Sequence, residues 1–206
     1  MAAHVGTSAD LFPALLSLHV PEGATVADVT YGQGVFWSHV EQGRYRLLAS
    51  DLADGVDCRH LPYEDGSIDV VVLDPPYMHS PGGTAYQKHG AFSDFYKNDL
   101  ATAPDGTRYH EAVVRLYVEA AKEARRVLRA KGIFIVKCQD EVCAGRLRLT
   151  HMELVTEFIT LGFQLVDLFV LVARNAPVVS RLLKQRTARR NCSYFLVLRW
   201  RPAHRG

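Results

Sequence analysis

Ile68-Asp69-Val70-Val71-Val72-Leu73 runs directly into Asp74-Pro75-Pro76-Tyr77. A short, almost uninterrupted β-branched run predicts a strand buried on both faces, as in the middle of a parallel sheet. Prolines fix φ and carry no N–H, and the residue before a proline is driven out of the helical region. The strand is therefore expected to end in a rigid extended turn. Ligands of open parallel sheets bind beyond the carboxyl ends of the strands, which is where this tetrad falls.

Outward from this strand, the pattern alternates. Ala24–Val29 predicts a buried strand entering a glycine turn, Gly32-Gln33-Gly34, followed by a helix start over Val35–Val40. Tyr45–Ser50 predicts a second strand, ending at Asp51. Beyond the tetrad, Tyr109–Arg129 has helical period and length, with Glu111 and Arg115 spaced as an ion pair on one face. Lys131-Gly132 is expected to stop that helix ahead of a buried strand, Ile133–Cys138. Thr150–Leu161 reads as a helix closed by Gly162, and Gln164–Ala173 and Ser193–Trp200 as two β-rich segments. Strands alternating with helices imply an α/β fold, a parallel sheet covered on both faces. No repeat or boundary divides residues 1–206, so a single domain is expected. Met78–Arg108 has no period of its own, and residues 78–108 are expected to form a substrate loop or lid.

The chain has 206 residues, 48% of them apolar and 22% charged. A chain of that length buries roughly 70% of its unfolded surface and needs no staples. The composition excludes a disordered chain, a collagen and a disulfide miniprotein. No apolar run approaches the roughly 18 residues of a membrane span, and Met1–Asp10 shows no secretory signal. Cys58, Cys138, Cys143 and Cys192 lack metal-ligand spacing, so reduced thiols, a cytoplasmic location and no metal site are expected. The net charge of +2 conceals an asymmetry. Residues 168–206 hold nine basic residues and no acid, whereas the preceding 167 hold 15 basic against 22 acidic. A one-sided basic end suits a polyanion partner, as it also suits a solvated face.

Asp28-Val29-Thr30-Tyr31-Gly32-Gln33-Gly34 is the first chemical constellation. Glycines at a strand exit let the backbone approach a ligand closely. An acid at the next strand end, here Asp51, accepts hydrogen bonds from ribose hydroxyls in doubly wound sheets. Together they suggest a nucleoside-containing cofactor, with Asp57, beside Cys58, in reach of its adenine. Trp37 stands where a dinucleotide fingerprint would have its third glycine, which argues against NAD or FAD.

The tetrad is the second and more specific constellation. The Asp74 carboxylate and the rigidly held Pro75 carbonyl are two converging acceptors, which suit an –NH₂ group. The lone pair of an exocyclic base amine is delocalised into its ring; accepting both N–H bonds localises it, so that the nitrogen can attack an electrophilic methyl. Tyr77 would stack the base, at roughly 1–3 kcal/mol. A base inside a duplex must first be flipped out.

On these residues the chain resembles the S-adenosylmethionine-dependent amino-methyltransferases of DNA, the N6-adenine and N4-cytosine group, over nearly its whole length. The glycine turn is similar to the family's D-x-F-x-G-x-G motif, with Thr30 where phenylalanine is usual. Asp51 matches its ribose-binding acid, and Asp57-Cys58 the pair that contacts the cofactor's adenine. Asn191–Leu198 is similar to its closing strand. The resemblance implies a Rossmann-like class I methyltransferase fold, with a seven-stranded, mostly parallel sheet whose last strand is antiparallel. It implies S-adenosyl-L-methionine as cofactor, held by Asp28, Thr30, Tyr31, Gly32, Gly34, Asp51, Leu52, Asp57 and Cys58. Catalysis would fall to Asp74, Pro75, Pro76 and Tyr77, acting on adenine N6 of flipped bases in DNA. Asp rather than Ser at position 74 favours adenine over cytosine, and Asp rather than Asn disfavours the related enzymes that modify glutamine. RNA amino-methyltransferases share closely similar motifs and are the first alternative; an inactive methyltransferase-fold subunit that binds nucleic acid for a partner is the second. Lys88, Lys97 and Arg108 in the loop, and Arg186, Arg189 and Arg190 near the basic end, are the expected nucleic-acid contacts. No stretch reads as a separate target-recognition domain, which leaves open a homodimer or a specificity subunit.

Overall fold

The computed structural model describes residues 2–76, 110–143, 146–174, 188 and 190–201. Their strands are β1 (Ala3–Val5), β2 (Thr25–Asp28), β3 (Arg46–Ala49), β4 (Ile68–Leu73), β5 (Leu128–Cys138), β6 (Glu141–Cys143), β7 (Arg146–Arg148), β8 (Phe163–Val172) and β9 (Cys192–Trp200). Their α-helices are α1 (Ser8–His19), α2 (His110–Val127) and α3 (Thr150–Thr160). Seven strands form one sheet in the order β1-β8-β9-β5-β4-β2-β3, and β6 and β7 form a separate hairpin. Only β9 among the seven runs against the others. The sheet is thus mostly parallel with its last strand antiparallel, as expected.

Alternation of side chains across the sheet divides the core in two. Val70 and Val72 of β4, Ile133 and Ile135 of β5, and Phe195 and Val197 of β9 face α1, whose Phe12, Leu15 and Leu16 are buried there. Val71 and Leu73, Phe134 and Val136, and Leu196 and Leu198 face α2 and α3, against Leu116, Tyr117 and Phe158. Each such large side chain contributes about 1.5–3 kcal/mol when fully buried. Helix α1 starts in a capping box: Thr7 Oγ1 accepts from the Asp10 N–H at 3.3 Å, and Asp10 Oδ2 accepts from the Thr7 N–H at 2.9 Å.

Several local expectations are corrected. The segment at Val35–Val40 is a single 3₁₀ turn, Val35–Trp37, because Trp37 and Phe36 turn inward at once. Helix α2 ends at Val127, and β5 begins with the next residue. Lys131 and Gly132 therefore lie inside β5, where the pairing with β4 shifts register between Ile68 and Val70. Arg115 pairs with Glu119, not Glu111, because the hairpin's Arg148 takes Glu111. The seventh strand of the sheet is the three-residue β1, added beside β8 at the edge. Among the described residues no helix is long and apolar enough to cross a membrane.

Candidate active site

Pairing register sets the site. Asp28 pairs with Ala49 on one side and Val72 on the other, so the carboxyl ends of β2, β3 and β4 lie together. Leu73 pairs with Val136, which puts Asp74 level with Lys137 on the next strand. The glycine turn follows β2 directly. Tyr31 N–H donates to the Ser50 carbonyl at 3.1 Å, and Gly34 N–H closes the turn on the Tyr31 carbonyl at 2.8 Å. Gly32 and Gly34 adopt left-handed φ of 52° and 68°, a region that strongly favours glycine. A Cβ on Gly34 would lie 2.5 Å from the Tyr31 hydroxyl, so the tyrosine ring folds back over this glycine.

Two carboxylates and one backbone amide hold the turn. Asp51 Oδ2 accepts from the Gly32 N–H at 2.9 Å, and its Oδ1 accepts from Ala53 N–H at 3.0 Å. Leu52 begins the 3₁₀ turn that Asp51 caps and packs, half-buried, on the core. Asp28 is buried, and the Trp37 indole N–H donates to its Oδ2 at 2.7 Å while Thr30 N–H donates to its Oδ1 at 3.2 Å. Burial pushes the Asp28 carboxyl up to about 7, against the pull of those two bonds and with the like charges of Asp74 and Asp51 adding to it. Trp37, at the position of the missing third glycine, is thus the residue that fixes Asp28. The third hold comes from Asp74, whose backbone N–H donates to Thr30 Oγ1 at 2.6 Å. Thr30 thus ties the glycine turn to the tetrad. Pro75 is buried and Pro76 half-buried beyond it.

Sequence reasoning missed Lys137. Its Nζ donates to Asp74 Oδ2 at 3.1 Å and lies 5.2 Å from the centre of the Phe36 ring. A lone lysine in an otherwise apolar strand, Ile133–Cys138, was the available signal. Two acid–histidine groups also escaped notice at the same end of the sheet. His110 Nδ1 is 2.7 Å from Glu141 and its Nε2 2.9 Å from Glu153, while Asp140 bonds both His151, at 2.7 Å, and the Tyr194 hydroxyl, at 3.2 Å.

Other site residues stand differently from their expected roles. Cys58 is 1% exposed, within the core under α2, so a contact with a cofactor would come through its backbone and not its thiol. Asp57 is chelated by Arg59 at 2.6–3.1 Å. Burial pushes the Asp57 carboxyl up, but the Arg59 bonds outweigh this and hold it below its usual range. Arg190 is half-buried, and its Nε has no hydrogen-bond partner among the described residues. Tyr77, Lys88, Lys97, Arg108, Arg186 and Arg189, with the expected loop at 78–108, lie outside the described residues.

The glycine turn suits a nucleoside-containing, cationic cofactor. Gly32 is exposed and leaves the place of a Cβ open, 3.9 Å from Asp51 Oδ2, so a ligand can approach the backbone there beside the acceptor oxygens of Asp51, with Asp74 tied to the same turn through Thr30.

No protein-family model and no curated protein matches the chain. Solved structures do. A Burkholderia thailandensis 1,6-didemethyltoxoflavin-N1-methyltransferase, bound to its substrate and S-adenosylhomocysteine, superposes with a TM-score of 0.53 and 16% identity, over 95% of this chain and 79% of that one. TrmN from Thermus thermophilus superposes with a TM-score of 0.52 and 18% identity, over 94% of this chain and 50% of that one. A weaker similarity, at a TM-score of 0.48 and 16% identity, runs to a candidate DNA modification methylase, also from Thermus thermophilus, complexed with S-adenosyl-L-methionine, over 88% of this chain and 58% of that one. The chain spans little more than half the length of that methylase. With the strand order and the antiparallel β9, the first two matches establish a Rossmann-like class I methyltransferase fold.

Proposed function

We propose that the chain transfers a methyl group from S-adenosyl-L-methionine to the exocyclic N6 amine of adenine in DNA. The observation that supports this best is the bond from the Asp74 N–H to Thr30 Oγ1, which sets the acceptor for the amine beside the glycine turn of the cofactor. Gly32, Gly34 and Asp51 would hold the cofactor, and Asp28 would fix the turn from beneath. When bound, the cofactor supplies an electrophilic methyl carbon. Asp74 and the Pro75 carbonyl accept the two N–H bonds of the amine and localise the nitrogen lone pair, which forms the new N–C bond as the C–S bond breaks. The carboxylate of Asp74 is then placed to take the proton the nitrogen sheds. Tyr77 would stack the flipped base.

The experiment compares methyl incorporation into DNA and RNA of the same sequence, with wild-type protein and Asp74→Ala. Incorporation into DNA that falls about 10²–10³-fold in the variant, the usual loss when one oriented polar group is removed from a transition state, is the expected result. Incorporation into RNA alone would replace DNA as the substrate. No incorporation into either, in protein whose melting temperature S-adenosyl-L-methionine does not raise, would favour an inactive nucleic-acid-binding subunit.

A further inference from the structure

We propose that Lys137 is a positioning residue for Asp74: its ammonium fixes the carboxylate in one orientation and keeps it an acceptor for the amine. The inference rests on the reading of Asp74 as the amine-binding acid. Lys137 is 8% exposed and occupies the α1 side of β5, the side on which Phe36 is buried. Its ammonium lies near both the Phe36 ring and Asp74 Oδ2. The Tyr117 hydroxyl donates to the Lys137 carbonyl at 2.8 Å and anchors the end of the strand. An ammonium is costly to bury, and an apolar side chain of similar volume is often neutral or stabilising in place of a buried ion pair. With Asp74 retained, however, removing the lysine alone would leave a part-buried carboxylate unpaired, so the lysine is tied to the state of Asp74. The described titratable groups that interact with Asp74 are the Asp28 carboxyl at the end of β2, itself next to Asp51, and on β5 Lys137 and the buried, neutral Cys138 thiol. Like charges push a carboxyl towards protonation and an adjacent cation opposes them. A protonated Asp74 would present an O–H donor where the amine needs an acceptor.

Aspartate side chains labelled with ¹³C at the carboxyl carbon, with Asp74 assigned through Asp74→Asn, report the titration directly. Wild type, Lys137→Met and Lys137→Arg are compared without substrate. The Asp74 midpoint is expected to rise by about one pH unit or more in Lys137→Met, the scale of a lost opposite charge, and to stay near wild type in Lys137→Arg. An unchanged midpoint in folded Lys137→Met overturns the proposal, and Lys137→Gln serves should the methionine variant fail to fold. In the methylation assay Lys137→Met is expected to lose about a hundred-fold in kcat, as misplaced reacting groups do, with cofactor Kd unchanged; wild-type kcat in the variant also overturns it. A wild-type chain inactive on DNA and RNA would count against the proposed function, while the Asp74 midpoint still decides the role of Lys137.

Discussion

At the scale of single residues, Asp28 carries the clearest pH signature. Its carboxyl stands at about 7 in the fold against an ordinary value of 3.8. The protonated form is thus favoured by folding, and the stability it contributes is present below about pH 4 and is lost as pH rises through about 7. Denaturant unfolding at pH 5 and pH 8 checks this. Asp28→Asn is expected to narrow the stability difference between the two pH values, and an undiminished difference would contradict the assignment. Thr30→Val removes the acceptor for the Asp74 N–H, and a buried donor left unsatisfied costs about 1–3 kcal/mol. Calorimetry is expected to show that loss, with cofactor affinity affected less than turnover. Residues of this kind were unevenly legible. Glycine and proline declare their backbone roles in the sequence itself, so the turn and the tetrad could be located. The partnerships of Trp37 with Asp28 and of Lys137 with Asp74 depend on facing and register, which a linear sequence does not display.

At the scale of elements, the His110 clamp joins the start of α2 to β6 and α3. Burial pushes the His110 imidazole down, but bonds to Glu141 and Glu153 outweigh it and raise it above its ordinary 6.5. A raised folded value means stability that is complete below pH 6.5 and is lost as pH rises through the folded value. Amide exchange of Val142 and Leu147, corrected for intrinsic rates, is expected to show a looser hairpin at pH 8.5 than at pH 6; equal protection would contradict the clamp. Lys131 supplies a second test, since its φ of 69° is left-handed. Relief of about 1–2 kcal/mol of strain against about 0.5–1 kcal/mol of glycine entropy predicts that Lys131→Gly raises stability by about 0.5–1 kcal/mol, read as a higher denaturation midpoint. Long elements such as β4 and α2 were legible from their periods. The three-residue β1, β6 and β7 are too short to show any period, and they form because β8 offers an open edge and because Glu141 is held by His110.

For the whole molecule, the parallel sheet was legible from alternation and the antiparallel β9 from the family resemblance. The placement of Asp74 beside the glycine turn follows from strand order together with the pairing register of β2 and β4. The charge asymmetry makes its own prediction. If Arg186, Arg189 and Arg190 meet phosphates, their joint replacement by alanine weakens DNA binding and flattens the dependence of log K on log salt by about 0.9 per contact. An unchanged slope would remove that patch from the interface. Whether an acid and a proline carbonyl make a base amine attack a methyl is decided by the identity of the product. Unmethylated duplex DNA is incubated with the protein and methyl-labelled S-adenosyl-L-methionine, then digested and resolved by nucleoside mass spectrometry. Label is expected in N6-methyl-2′-deoxyadenosine. Label confined to a ring carbon or ring nitrogen of any base, with none on an exocyclic amine, would contradict it.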